Sequence, residues 1–107
     1  MLTSWFSAFF FTQCVEMPIY ARLAKAGWIA AFGASALTHP IVWFVIPSFF
    51  PGNYWRMVAV AEAFAVIAEA LYLHFGFRVK RALLWSLLAN ATSVTLGFLS
   101  RHFFGWP

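Results

Sequence analysis

The sequence predicts an all-α, polytopic membrane protein: four transmembrane helices in one bundle, joined by short loops. Three observations predict it. Only 9% of the 107 residues are charged and 64% are hydrophobic, whereas soluble domains carry roughly 25% charged residues. The chain holds 14 Phe and 6 Trp, more than a soluble core of this length can hide, because small domains bury too little of their surface. A bilayer removes that problem by making the outside apolar too. Finally, the apolar residues fall into four runs of about 20, the length that crosses hydrocarbon.

The first helix is predicted over about 3–24 and stops at RLAKAG, where charge and glycine follow the apolar run. It lacks a basic leader and a convincing small-x-small cleavage site, so it is expected to be a permanent helix and not a signal peptide. The second helix runs over about 27–49 and ends in PSFFPGNYW, which supplies two prolines, a glycine and an interfacial Tyr54–Trp55 pair. The third, about 54–75, ends at HFGFRVKR, and the fourth covers about 82–103. These elements account for residues 1–107 as a single four-helix domain without a linker or repeat. Cys14 is the only cysteine, so no intrachain disulfide forms, and it reads as a small buried apolar side chain.

Cations set the expected orientation. The first and third loops hold Arg22, Lys25, Arg78, Lys80 and Arg81, and the opposite side holds Arg56 and Arg101. Positive-inside bias then places loops one and three in the cytoplasm and both termini outside. The net charge of +4 is accounted for by cations meeting anionic headgroups, so the bilayer is the expected partner and nucleic acid is not.

The acids are distributed differently. Glu16, Glu62 and Glu69 are the only ones, and all three lie inside apolar spans. A charge at mid-bilayer costs ~3 kcal/mol on insertion scales, so three of them mark a functional site facing the bundle interior. Glu62 and Glu69 are about 20° apart around the helix, at 100° per residue. Gln13, Glu16 and Tyr20 form a stripe on the first helix, and Ser86, Asn90, Ser93, Gly97 and Ser100 form one on the fourth. On the second, SALTHP brings Ser35, Thr38 and His39 together before Pro40. Pro18 and Pro40 each remove a backbone donor and strand a carbonyl one turn earlier, which is tolerable only where protein or water satisfies it. A rise of ~1.5 Å per residue gives two layers. The inner layer is Glu16, Glu69 and Asn90, with Tyr20 and Tyr72 below. The outer layer is His39 and Glu62, with Thr38 and Ser93 near.

Two chemistries suit this set. Glu16, His39, Glu62 and Glu69 carry donors that fit a divalent Zn, Mn or Fe ion, which four-helix bundles hold between facing helices. The same four residues equally suit proton handling, as carboxyl carriers or general acid/base groups in a low-dielectric seam. Tyr20, Tyr72, Asn90 and Ser93 would line either site. No HExxH, nucleophile elbow, Gly-rich phosphate loop or CxxC is present to name an enzyme.

Two resemblances follow from these residues. CVEMPIY, THPIVWF, AEAFAVIAEALYL and SLLANATSVTLG look similar to small bacterial four-helix integral membrane proteins of uncharacterised activity. That similarity implies the fold and a bacterial inner-membrane location, and no reaction. Length, four spans and a buried Glu16 in the first helix superficially resemble the small multidrug resistance transporters. Those proteins carry one such glutamate and this chain carries three, so their function is not carried across. The expected function is therefore an intramembrane carboxylate–histidine site that binds a metal ion or exchanges protons. The alternatives are an accessory subunit of a larger membrane complex, and a proton-coupled small-molecule transporter acting as an oligomer.

Overall fold

A computed structural model describes residues 2–106, side chains being described from Ser4 onward. The chain is all-helical. Helix α1, Leu2–Pro18, continues as a π-helical turn over Ile19–Leu23. Helix α2, Trp28–Pro40, continues as a π turn over Ile41–Val45 and a 3₁₀ turn over Ile46–Phe49. Helix α3, Tyr54–Leu71, is followed by a π turn over Tyr72–Gly76, and α4 is an unbroken Ala82–Phe104. Two of the three π turns begin directly after a proline. The pyrrolidine ring has no N–H and crowds the carbonyl four residues back. Widening the next turn to i→i+5 bonding, as in Ala24 N–H to Ile19 O at 2.9 Å, carries the helix past that defect.

The helices form a ring. α1 packs on α2 and α4, and α3 also packs on α2 and α4, so α1 and α3 face each other across the diagonal. The bundle measures 38 × 29 × 21 Å, and its long axis matches a hydrocarbon core of ~30 Å with its interfaces. Small residues make the ring possible. Ala30, Ala31, Ala34, Ala61, Ala65, Ala70, Ala82 and Ala89 are all buried at helix contacts, where the absence of bulk lets backbones approach. Gly33 serves the same end, since a Cβ there would overlap the Tyr72 hydroxyl packed against it.

Large apolar side chains point the other way. Ile29 is 87% exposed, and Phe10, Trp55 and Phe104 are similarly open. In water such a surface would drive association, and in a bilayer it is solvated by lipid. Three helical segments are long and apolar enough to cross a membrane: Trp28–Phe49, Tyr54–Gly76 and Ala82–Phe104. The first helix is not among them; it carries both Gln13 and Glu16 within its span. Cys14 is exposed, not buried as the sequence suggested, since it lies on the side of α1 turned away from Gln13 and Glu16.

At the end carrying the first and third loops the interior is closed. Tyr20, Leu73, Val79, Ala82 and Ala89 pack there with Ala21, Ala31 and Ala34 into a buried cluster. Three of its bordering basic residues, Lys25, Arg78 and Arg81, adopt positive φ in the turns.

Candidate functional site

The polar seam sits directly above that cluster. Glu16 is presented by the last regular turn of α1 before Pro18, and Glu69 by the last turns of α3 before its π segment. They are 1% and 2% exposed. α1 and α3 stand across the diagonal, and their two buried carboxyl groups lie close enough to influence each other electrostatically.

Every oxygen in the pair has donors aimed at it. Tyr20 Oη donates to Glu69 Oε1 at 2.6 Å, Thr38 Oγ1 donates to Glu69 Oε2 at 2.6 Å, and Asn90 Nδ2 donates to Glu69 Oε1 at 3.1 Å. Ser35 Oγ donates to Glu16 Oε1 at 2.8 Å and Ser93 Oγ to Glu16 Oε2 at 2.5 Å. Hydroxyl contacts this short are typical of bonds to a charged or proton-sharing acceptor. All four helices contribute, since Thr38 and Ser35 belong to α2, and Asn90 and Ser93 to α4. The amide of Asn90 is itself steadied by Ser86 O at 2.9 Å.

The predicted residues are distributed as follows. Glu16, Glu69, Asn90 and Tyr20 share one layer, and Thr38 and Ser93, expected in the outer layer, belong to it too. Their hydroxyls lean back toward the preceding turn, as the bonds of Thr38 Oγ1 to Ala34 O and of Ser93 Oγ to Asn90 O show, and in both α2 and α4 that is toward the loop-one end. Glu62 stands two turns away from Glu69 on the same face of α3, half-buried, and lines the cavity described below. No hydrogen bond joins it to His39. The imidazole is instead enclosed by aromatic rings: it stacks on Trp43 at a centroid distance of 6.1 Å and an interplanar angle of 13°, with Phe9 at 5.3 Å and Trp5 at 6.0 Å. Its Nδ1 is buried without a partner. Tyr72 stands apart from the pair, its hydroxyl over Gly33 and its ring against Phe77, because the helix enters its π turn at that residue.

The aromatic enclosure of His39 was not read from the sequence, although a signal existed. Trp43 follows His39 by four, and Trp5 and Phe9 are also four apart, so each pair shares a helical face. Ser35 was placed on the α2 stripe, but its bond to Glu16 depends on how α1 and α2 are docked.

A cavity of about 500 Å³ leads to the pair. Its mouth is bounded by Ser4, Tyr54 and Arg101, its walls include Phe11, Val42, Trp43, Val94 and Phe98, and its floor is Glu16, Glu69, Thr38, Asn90 and Ser93. Arg101 and Asn90 are eleven helical residues apart, about 16 Å along α4. The cavity therefore opens at the end opposite the first and third loops and stops at the buried Tyr20 cluster.

No three His, Cys, Asp or Glu side chains among the described residues are placed to hold an ion. Both oxygens of each paired carboxyl are already taken by hydroxyl and amide donors, and His39 faces aromatic rings. No protein-family model, curated protein or solved structure matches this chain.

Proposed function

We propose that this protein crosses a bacterial cytoplasmic membrane four times and exchanges protons at the Glu16–Glu69 pair, which is reached from one side through the cavity. One observation carries the reading. Two carboxyl groups from diagonal helices converge in the centre of the bundle with hydroxyl and amide donors around them and no Lys or Arg beside them. Like charges in contact repel, and a proton held between them turns the repulsion into a hydrogen bond. Gaining or losing that proton is the chemistry the pair can perform without other partners. A seam needed only to hold helices together would be served by Gln at far lower desolvation cost.

The fourth span is α1. With its π turn it runs over Leu2–Leu23, a rise of roughly 33 Å, and it closes the ring between α2 and α4. It carries the buried polar residues Gln13 and Glu16 on the side that faces the ring. Positive-inside bias puts the closed, cation-rich end in the cytoplasm and the cavity mouth outside. Protons then reach the pair past Glu62, which stands between mouth and floor.

A second reading, an accessory subunit whose seam is structural, is favoured by the ties that involve no acid. Gln13 Nε2 donates to Phe32 O at 3.1 Å and Ser86 Oγ to Val66 O at 2.7 Å. Infrared difference spectroscopy on the protein in lipid vesicles separates the two. Proton exchange predicts a carboxyl C=O band that titrates with external pH and disappears in Glu16→Gln and Glu69→Gln. A spectrum without a titrating carboxyl band supports the structural reading. Loss of the band on adding zinc or manganese, with proton release, would transfer the site to metal binding.

A further inference from the structure

We infer that the third loop holds a binding site for the phosphate group of an anionic lipid, in the leaflet that the first and third loops face. The inference needs only that the chain sits in a bilayer, and it is independent of proton exchange at the Glu16–Glu69 pair.

A second cavity, of about 430 Å³, lies at the closed end of the bundle. Arg78, Lys80 and Arg81 bring three cationic side chains to this one space, and His74 and Phe75 complete its lining. Their counter-charges cannot come from the side chains of this protein. Its only acids are Glu16, Glu62 and Glu69. Glu16 and Glu69 are buried in the seam and bonded there, and Glu62 lines the other cavity. Like charges crowded together repel, and an anion entering the cavity offsets that repulsion.

The backbone points the same way. Arg78 and Arg81 both hold left-handed φ, 54° and 56°, a conformation that glycine or asparagine adopts more readily. A guanidinium at each place has a use when it meets phosphate, to which it can donate two parallel hydrogen bonds. The start of α4, which no side chain caps, follows Arg81 directly and adds a field of the favourable sign.

Apolar neighbours select a lipid over a free phosphate ion. Phe75 lines the cavity and is 75% exposed, and Phe77, Leu83 and Leu84 are open on the same stretch of chain. A phosphate ion in water gains nothing from these side chains, whereas a lipid brings acyl chains to them together with its headgroup. Basic pockets at the ends of membrane helices hold anionic headgroups in this way.

The test is native mass spectrometry of the full chain released from detergent micelles. It is titrated with dioleoyl phosphatidylglycerol, which is anionic, with zwitterionic dioleoyl phosphatidylcholine, and with inorganic phosphate as the headless probe. Phosphatidylglycerol is expected to bind saturably and roughly tenfold tighter than phosphatidylcholine, and inorganic phosphate far more weakly. Arg78→Asn combined with Arg81→Asn removes two charges and keeps residues that accept the left-handed turn. It should weaken phosphatidylglycerol binding roughly fivefold per cation, the equivalent of ~1 kcal/mol each. Lys80→Gln, a single exposed substitution, should act in the same direction and serves if the double variant does not fold. Arg22→Gln combined with Lys25→Asn removes the same charge from the first loop, outside the cavity, and should leave binding nearly unchanged. Equal losses in the two double variants would mean diffuse attraction to a basic surface and overturn the site. Equal binding of the two lipids overturns it as well. Inorganic phosphate binding as tightly as phosphatidylglycerol overturns the lipid as the occupant.

Discussion

Replacing Glu69 in two ways separates its charge from its hydrogen bonds. In Glu69→Gln the remaining oxygen can still accept from Tyr20 and Asn90, which both bond to Oε1 in the native protein. The new amide nitrogen faces Thr38. That hydroxyl has a second acceptor available, Ala34 O at 3.3 Å, so it can turn its proton there and accept from the amide. No group is left unpaired, and the expected cost is under about 0.5 kcal/mol. Glu69→Leu removes all three interhelical bonds. At ~0.6 kcal/mol each, the average measured inside membranes, their loss amounts to about 2 kcal/mol. Asn90 keeps Ser86 O and Thr38 keeps Ala34 O, whereas the Tyr20 hydroxyl loses its acceptor. The comparison is made by reversible unfolding in mixed micelles or by steric trapping in bicelles, alongside the titrating carboxyl band. The expected result is a Gln variant nearly as stable as the native protein but without the band, and a Leu variant clearly weaker. If Gln destabilises as much as Leu, the carboxyl group itself holds the bundle together and the separation of function from structure at this position is wrong.

Asn90→Ala should lower stability by roughly 1 kcal/mol, by loss of its bond to Glu69, while the carboxyl band persists with altered frequency; an unchanged frequency would remove Asn90 from the cluster. Gly33→Ala should destabilise by about 1–3 kcal/mol through overpacking against Tyr72. Tyr72→Phe should recover only part of that loss, because the ring carbon Cζ still stands 3.1 Å from the new Cβ. Full recovery would mean that the hydroxyl alone is in the way.

What the sequence determined by itself is the class and the face. An apolar composition with charges at the breaks leaves a bilayer as the only solvent that suits the surface, and the segment breaks at RLAKAG, PSFFPGNYW and HFGFRVKR fall where the helices end. Helical periodicity was enough to put Glu62 and Glu69 on one side of α3, and Asn90 with Ser93 near one side of α4, because a helix repeats its directions every 3.6 residues. The sequence reading also put a span over 3–24, whereas the segments of the structure long and apolar enough to cross a membrane are the other three.

Only the tertiary structure decided which of these faces meet and at what height. Glu16 and Glu69 are 53 positions apart in sequence, and nothing local says that α1 and α3 are diagonal. Counting residues from the loops placed Thr38 and Ser93 a layer too far out, because a side chain leans about a turn along its helix to find its partner. The separation of His39 from Glu62 has the same origin. Spacing put them at one depth, but packing turned the imidazole toward Trp5, Phe9 and Trp43. The cavity belongs wholly to this level, being the space that side chains brought together from all four helices leave unfilled.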